Sequence, residues 1–223
     1  MIFSPQLFFS NFLEHEDMES RVTIDIDEAR SEIPGMTPIH VAALYGLTGT
    51  VGKLLKKCDP SPDILKTDLG GTPIYCAALN NHLETVKFLV RFGLNPNTPD
   101  CYGNTPIIKA AEMGHFEIVK FLSAKVEEPN APDDGGTTPI HRAAEAGYTE
   151  IVKYLASKVK DPNSPNVYGD TSIHSAVEAG HFEVIEYLSS IAQNPNTPDA
   201  DGDTPIHVAA TAGKKFCETE KSG

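Results

Sequence analysis

The chain has 223 residues, of which 40 % are hydrophobic, so it is long and apolar enough to bury a core, which excludes a disordered chain. Its 18 Lys and Arg residues against 31 Asp and Glu residues give a formal net charge of -13, which disfavours a nucleic acid or an anionic membrane surface as a partner. The 4 cysteines lack the spacing of metal ligands, which favours free thiols in an intracellular protein, cytoplasmic or alternatively nuclear.

The first predicted segment, residues 1–31, precedes any repeating pattern. It begins with the apolar run MIFSPQLFFSNFL. The run has no basic start and no small-residue cleavage site, and Ser10 and Asn11 interrupt it well short of a membrane span. We therefore expect a partly helical or disordered segment that could cap the rest of the chain, rather than a secretory signal or a membrane anchor.

Residues 32–213 carry one pattern six times. A Thr recurs at separations of 35, 33, 33, 33 and 33 residues, followed by Pro in every copy except the fifth, where Ser172 takes its place. Gly stands two positions before each Thr, a pair of small residues five and six after it, and Gly or Asn nine after it. The longer first separation predicts an enlarged loop before the second Thr. Units 1 to 6 are defined by Thr37, Thr72, Thr105, Thr138, Thr171 and Thr204.

Each unit predicts two short helices. Thr suits the N-cap position because its hydroxyl can accept a backbone N–H, and Pro suits the first helical position because no donor is needed there. A first helix is therefore predicted from each Thr-Pro to the Gly or Asn, a residue type that tolerates the left-handed end of a helix. Second helices with apolar residues at i, i+3 and i+4 are predicted over residues 82–92, 115–125, 148–158 and 181–190. Helices this short are unstable alone, so the units must stack.

The repeated sequences TPIHVAALYG, TPIIKAAEMGHFEIVKFL, TPIHRAAEAGYTEIVKYL and TPIHVAATAG resemble the ankyrin repeat, a finger-like turn followed by two antiparallel helices. The resemblance implies an all-α solenoid over residues 32–213, with five full units and the first helix of a sixth. It also implies a monomeric, non-enzymatic interaction module without a cofactor, whose finger tips and first helices form a concave surface that binds a protein partner. Residues 214–223 lack the apolar pattern of a second helix, and we expect an irregular cap or tail there.

Histidines and acidic turns are the candidate metal sites. Of the 8 histidines, four stand three residues after a Thr, where Tyr75 and Ile108 take their place in two units, so a metal ligand is not required there. The resemblance implies that these four bond the Thr of their own unit. They are His40, His141, His174 and His207. The stretch DADGD at residues 199–203 departs from an EF-hand calcium loop because its Gly comes fourth, and we expect a solvated turn.

The resemblance places partner contacts beside the turn Gly and on the exposed side of the first helices. In units 1 to 3 these positions are apolar and include aromatic side chains that could anchor a partner. In units 3 to 6 they are acidic, and Asp203 beside them is a further acid. We predict a partner with an apolar segment followed by a basic one. Alternatively, Leu69 and Leu79 pack laterally and the acidity only serves solubility. The predicted contacts are Tyr45, Leu69, Leu79, Tyr102, Lys109, Glu112, Met113, Arg142, Glu145, Tyr168, Glu178 and Asp201.

Two other functions are compatible with the same residues. The chain could be the substrate-recruiting or regulatory part of a larger ubiquitin ligase, kinase or channel, which a second domain in the native protein would show. It could also be an enzyme substrate, since the resemblance extends to finger asparagines that are hydroxylated in some ankyrin repeats, each eight residues after a Leu. These asparagines, all preceded by Pro here, are Asn97, Asn130, Asn163 and Asn196.

Overall fold

The computed structural model describes residues 35–57 and 66–211. The predicted segments 1–31 and 214–223, the finger tip of unit 1 and most of the enlarged loop between units 1 and 2 lie outside the described residues. The proposed division of the chain at residues 32 and 213 therefore stays a prediction.

The described residues form eleven helices and no strand, as the sequence predicts for an all-α chain. The first helices of units 1 to 6 are α1 (Pro38–Leu44), α3 (Pro73–Leu79), α5 (Pro106–Glu112), α7 (Pro139–Glu145), α9 (Ser172–Ala179) and α11 (residues 205–211). The second helices of units 1 to 5 are α2 (Thr48–Lys57), α4 (Leu83–Arg91), α6 (Phe116–Ser123), α8 (Thr149–Ala156) and α10 (Phe182–Ile191).

The first helices of units 1 to 5 begin and end as predicted. Their N-cap threonines have extended backbone, with φ between -86° and -98°, and in unit 2 the hydroxyl of Thr72 accepts the N–H of Tyr75 at 3.2 Å. A residue in the left-handed conformation follows each of these helices, and in unit 2 it is Asn81, with φ 61°. Asn tolerates this conformation better than other side chains, which explains why it can replace Gly at this one position.

The helices stack in two layers. In units 1 to 5, first helices pack on the first helices of neighbouring units, second helices pack on second helices, and each first helix packs on the second helix of its own unit. One continuous hydrophobic core runs through the stack from Met36 to Leu188. The paired alanines of units 1 to 4 are fully buried, which allows the first helices to approach closely, as the sequence predicts. The chain is a helical solenoid in which each unit is stabilised by its neighbours.

Candidate protein-binding surface

The fingers of units 3 to 6 are turns, each built around one side-chain oxygen. In unit 3 the Oδ1 atom of Asp100 accepts the backbone N–H groups of Tyr102 and Asn104, both at 2.9 Å. The same pair of bonds recurs at Asp133, Asn166 and Asp199. Asp and Asn side chains stabilise turns in this way, and the DADGD stretch is one such turn. Sequence reasoning missed these residues, although their place three positions before each turn Gly was a readable signal.

Neighbouring finger tips are joined by backbone hydrogen bonds. The bonds run from Cys101 N to Leu69 O at 2.8 Å, from Asp134 N to Tyr102 O at 3.2 Å, from Val167 N to Gly135 O at 3.1 Å and from Ala200 N to Tyr168 O at 2.9 Å. The tips approach so closely that a Cβ atom on Gly103 would lie 2.5 Å from the backbone N of Asp134. The equivalent tip residues therefore form one continuous row, the tip row, which consists of Leu69, Tyr102, Gly135, Tyr168 and Asp201.

The tip row exposes large apolar side chains. Tyr102 is 62 % exposed, Tyr168 is 67 % exposed and Leu69 is 58 % exposed, so none of the three is used by the internal packing of the stack. Gly135 stands between the two tyrosines in the row and has no side chain, and we call this position the glycine notch. Asp201 ends the row and is exposed as well. Aromatic side chains flanking a notch are the type of anchor that dominates protein interfaces.

The predicted contacts on the first helices differ in their exposure. Tyr45, Met113 and Glu178 are exposed, whereas Leu79 is half-buried. The backbone oxygen of Leu79 lies 3.0 Å from the Nε2 atom of His115, so this residue also takes part in the contact between units 2 and 3. Among the predicted apolar contacts on the first helices, those of units 1 and 3 are therefore the more exposed.

Both predicted cations are held by acids of their own unit. Lys109 Nζ lies 2.7 Å from Glu112, and Arg142 lies 3.2 Å from Glu145 and 3.6 Å from the buried carboxylate of Asp133. Ion pairs between residues i and i+3 of one helix are weak, but they offset the charge of both partners. Of the predicted acids of this surface, those that Lys109 and Arg142 do not pair lie in units 5 and 6. They are Glu178, Asp201 and Asp203.

The histidines after the threonines are structural. His141 Nδ1 lies 2.8 Å from the hydroxyl of Thr138, and its Nε2 lies 3.1 Å from the backbone oxygen of Asp170 in the next unit. Burial lowers the pKa of His141, so the ring is held neutral between two units. Equivalent Thr–His contacts occur at Thr37–His40, Thr171–His174 and Thr204–His207. The bond implied by the resemblance is confirmed.

Unit 2 has Tyr75 in place of this histidine. Burial of its phenol, together with the negative charges of Asp100 and Glu112, raises the pKa of Tyr75 well above its usual value of 10.0. The neighbouring thiol of Cys76 is buried, which raises its pKa to about 12 and keeps it protonated. Neither group is an activated nucleophile or base.

A second set of contacts between units is made by His and Tyr rings. Sequence reasoning did not predict these contacts. The ring of His181 covers Gly147 of the preceding unit, and its Nε2 lies 3.0 Å from the backbone oxygen of Glu145. The rings of His82 and Tyr148 cover the corresponding glycines Gly46 and Gly114. Because each ring stands ten positions after its Thr, the repeat spacing contains the signal, but only the structure shows the glycine beneath the ring.

The finger asparagines take part in the scaffold in two units. Asn163 is buried, and its Oδ1 atom accepts the N–H of Ile173 and the hydroxyl of Ser172, both at 3.2 Å. The Oδ1 atom of Asn130 accepts the N–H of Ile140 at 3.1 Å. Each of these amides thus satisfies a donor at the start of the following first helix. Asn97 is half-buried and Asn196 is exposed.

Within residues 35–57 and 66–211, no three His, Cys, Asp or Glu side chains come close enough together to hold a metal ion. No helix in the same residues has the length and apolar composition needed to cross a membrane.

Stacked helix pairs, hydrogen-bonded fingers and Thr–His links define a repeat protein of the solenoid class. A sequence profile described as "Ankyrin repeats (3 copies)" matches residues 39–133 and 125–199. The chain belongs to the ankyrin-repeat family. Repeats of this family are generally protein-protein interaction modules and are typically non-catalytic.

Several curated proteins share a short part of this sequence. An ANK repeat-containing protein, nipk-1, of Caenorhabditis elegans is 31 % identical over 71 residues, which is 29 % of this chain and 12 % of the relative. The SMC5-SMC6 complex localization factor protein 1 of Homo sapiens is 41 % identical over 59 residues, which is 26 % of this chain and 6 % of the relative. The transient receptor potential cation channel subfamily A member 1 of Homo sapiens is 39 % identical over 61 residues, 26 % of this chain and 5 % of the relative. The chain thus spans a small part of the length of each.

Proposed function

We propose that the chain is a non-enzymatic scaffold that binds a protein partner along its concave face, through the tip row and the exposed side of the first helices. The observation that carries this proposal is the pair of tyrosines Tyr102 and Tyr168, which are exposed on a hydrogen-bonded row and separated by the glycine notch. An exposed aromatic pair on a rigid backbone binds with little loss of conformational freedom. We further propose that the protein is intracellular and monomeric.

The charge pattern supports a direction for the partner. The apolar contacts Tyr45, Leu69 and Met113 lie in units 1 to 3, and the predicted acidic contacts that Lys109 and Arg142 do not pair lie in units 5 and 6. An apolar segment of the partner would therefore lie along units 1 to 3, and a basic segment along units 5 and 6, where acidic side chains favour its approach.

The test compares the proteins captured from source cells by three forms of the chain, identified by mass spectrometry. Partners captured by the native chain should be lost with the double variant Tyr102→Ala/Tyr168→Ala and retained with Phe92→Ala, a matched removal of an exposed aromatic ring at the end of α4. For a partner so identified, the double variant should bind at least about 30-fold more weakly, the equivalent of roughly 2 kcal/mol. Equal capture by the double variant and the native chain would contradict the proposed face.

A second candidate is a recruiting or regulatory segment within a larger polypeptide such as a ubiquitin ligase, a kinase or a channel. The observation in its favour is that the matched relatives, one of them a cation channel, are many times longer than the matched region. An antibody against the repeats, used on an immunoblot of source cells, distinguishes the two. A band near the 24.1 kDa of this chain supports the scaffold, and a much heavier band supports the larger polypeptide.

Hydroxylation of the finger asparagines stays a prediction. The scaffold bonds of Asn130 and Asn163 leave Asn196 as the most accessible of the four. Mass spectrometry of the finger peptides from the native protein checks it, and peptides without the mass of one added oxygen would reject it.

A further inference from the structure

The finger of unit 4 carries an exposed carboxylate beside the glycine notch. Asp134, the residue before Gly135, is exposed, and none of the ion pairs among the described residues includes it. The neighbouring carboxylate of Asp133 is buried and pairs with Arg142. The two acids of this finger therefore differ in role, because Asp133 stabilises the turn whereas the charge of Asp134 faces solvent.

The neighbouring fingers have no acid at the position of Asp134. Its equivalents in units 3, 5 and 6 are Cys101, Val167 and Ala200, and all three are exposed. The fingers of units 3 and 5 thus end in an uncharged residue followed by an exposed tyrosine. In the middle of the described stack, the two residues before each turn Gly therefore present a single negative charge, which lies in unit 4 between two uncharged tips.

Asp134 lies directly beside Tyr102. Its backbone N–H donates to the backbone oxygen of Tyr102 at 3.2 Å, and its Oδ1 atom would lie 2.7 Å from a Cβ atom placed on Gly103. Because Gly103 follows Tyr102 in the chain, a cation bound to this carboxylate would be within reach of the exposed tyrosine ring. The chain already contains a contact of this kind, since Lys158 Nζ lies 5.4 Å from the ring centroid of Tyr154.

The tips around the glycine notch have used their backbone donors. The N–H groups of Tyr102, Gly135 and Tyr168 donate to side-chain oxygens of their own turns. By contrast, the backbone oxygens of Asp134 and Val167 accept no hydrogen bond within the part of the chain that the structure describes. A partner therefore cannot add a strand through these N–H groups, and the backbone here favours a group that donates hydrogen bonds.

Arginine is the side chain that fits a carboxylate, an aromatic ring and unused carbonyl oxygens together. Its guanidinium has five donors and no acceptor, keeps its charge, and stacks on aromatic rings, whereas the ammonium of lysine pairs only as a point charge. We propose that the glycine notch binds an Arg side chain of the protein partner, which pairs with Asp134 and stacks on the ring of Tyr102. This inference rests on the concave face proposed above, and it places the first basic residue of the partner at unit 4.

The test selects random peptides, displayed on phage, for binding to the full 223-residue chain. Peptides enriched by the native chain should share an Arg at one fixed position. Asp134→Asn should no longer enrich this Arg, because a neutral amide does not pair with a cation, and the exposed position should tolerate the change. The matched control is Asp68→Asn, which removes the exposed acid at the same position of unit 2 and should retain the Arg.

One enriched peptide, synthesised with a fluorescent label, gives the size of the effect by anisotropy. Replacing its Arg by Gln should weaken binding to the native chain about fivefold to tenfold, as expected for one exposed ion pair and one cation–π contact. Replacing the Arg by Lys should weaken binding about twofold to threefold, because the charge stays and the stacking is lost. With Asp134→Asn, the change from Arg to Gln in the peptide should weaken binding only about twofold to threefold.

The double variant Tyr102→Ala/Tyr168→Ala separates this inference from the concave face on which it rests. Peptides that depend on the two tyrosines but share no Arg, or whose Arg is enriched equally by Asp134→Asn, would overturn the Arg site and leave the concave face in place. Peptides that bind the double variant as well as the native chain would contradict both. If the native chain enriched no peptide, the notch would not take a peptide side chain, and the Arg site alone would be rejected.

Discussion

Units 4 and 6 begin with nearly the same sequence, TPIHRAA and TPIHVAA, and form the same local structure in very different surroundings. In both, the Thr hydroxyl lies within 3.0 Å of the Nδ1 atom of its histidine. Yet Ile140 is fully buried, and Ile206 is 70 % exposed. Local sequence therefore determines the cap and the start of the helix, whereas the neighbouring units determine what that helix contributes to stability.

The largest effect on stability is expected when the equivalent isoleucine is shortened to alanine in each of the two units. Ile140→Ala should lower the free energy of unfolding by about 2–5 kcal/mol, because it leaves a cavity in the core. Ile206→Ala should change it by less than about 0.5 kcal/mol, because no packing is lost. Urea denaturation followed by circular dichroism measures both. Equal losses would show that unit 6 is packed like unit 4, and would contradict the comparison.

A smaller effect is expected at the glycines that end the first helices. Gly147 and Gly180 both have φ 78°, so an alanine at either costs roughly 1–2 kcal/mol from backbone strain. At Gly147 the new Cβ atom would also lie 2.5 Å from the ring of His181, whereas at Gly180 nothing among the described residues lies within 4 Å. Gly147→Ala should therefore destabilise the protein by about 1–3 kcal/mol more than Gly180→Ala.

The double variant Gly147→Ala/His181→Ala provides the control for that difference. Removing the ring should recover most of the extra loss and leave the strain common to both glycines. Losses of equal size for the two single variants would indicate that the ring moves away freely. Urea denaturation of the three variants decides between these outcomes.

The solenoid was predictable from the sequence because its signals are local and repeated. Thr138 and Pro139 mark a helix start, Gly147 marks its end, and the period of 33 residues makes each position visible several times. The position of Asn81 in the left-handed conformation followed from the same alignment. The outer limits of the repeats, which fall outside the described residues, stay predictions.

The candidate surface was predictable only in part, because it depends on contacts between units. The sequence identified Tyr102 and Tyr168 as tip residues, but the hydrogen-bonded row that aligns them joins residues 33 positions apart. It also identified Lys109 as a cation of the surface, whereas the structure pairs it with Glu112. Side-chain rotamers decide such pairs, and a sequence pattern contains no information on them.

The smallest expected effect concerns His141, the buried histidine of unit 4. Burial lowers the pKa of His141 below its usual value of 6.5; the charge of Arg142 adds to this, while the bond to Asp170 and the charge of Asp133 oppose it. The unfolded chain therefore takes up a proton near pH 6.5, and the folded chain takes it up only at lower pH. Between these two values the unfolded state binds more protons, so stability rises with pH. The contribution is complete above pH 6.5 and is lost as the pH falls below it.

The free energy of unfolding of the native chain should therefore decrease from pH 7.5 to pH 5.5, a range that stays above the usual pKa values of carboxyl groups, about 4. His141→Gln should reduce this decrease, because the group that titrates differently in the two states is gone. His82, whose pKa burial also lowers, should maintain part of the decrease in this variant. A decrease of unchanged size in His141→Gln would show that the ring held between units 4 and 5 is not its source.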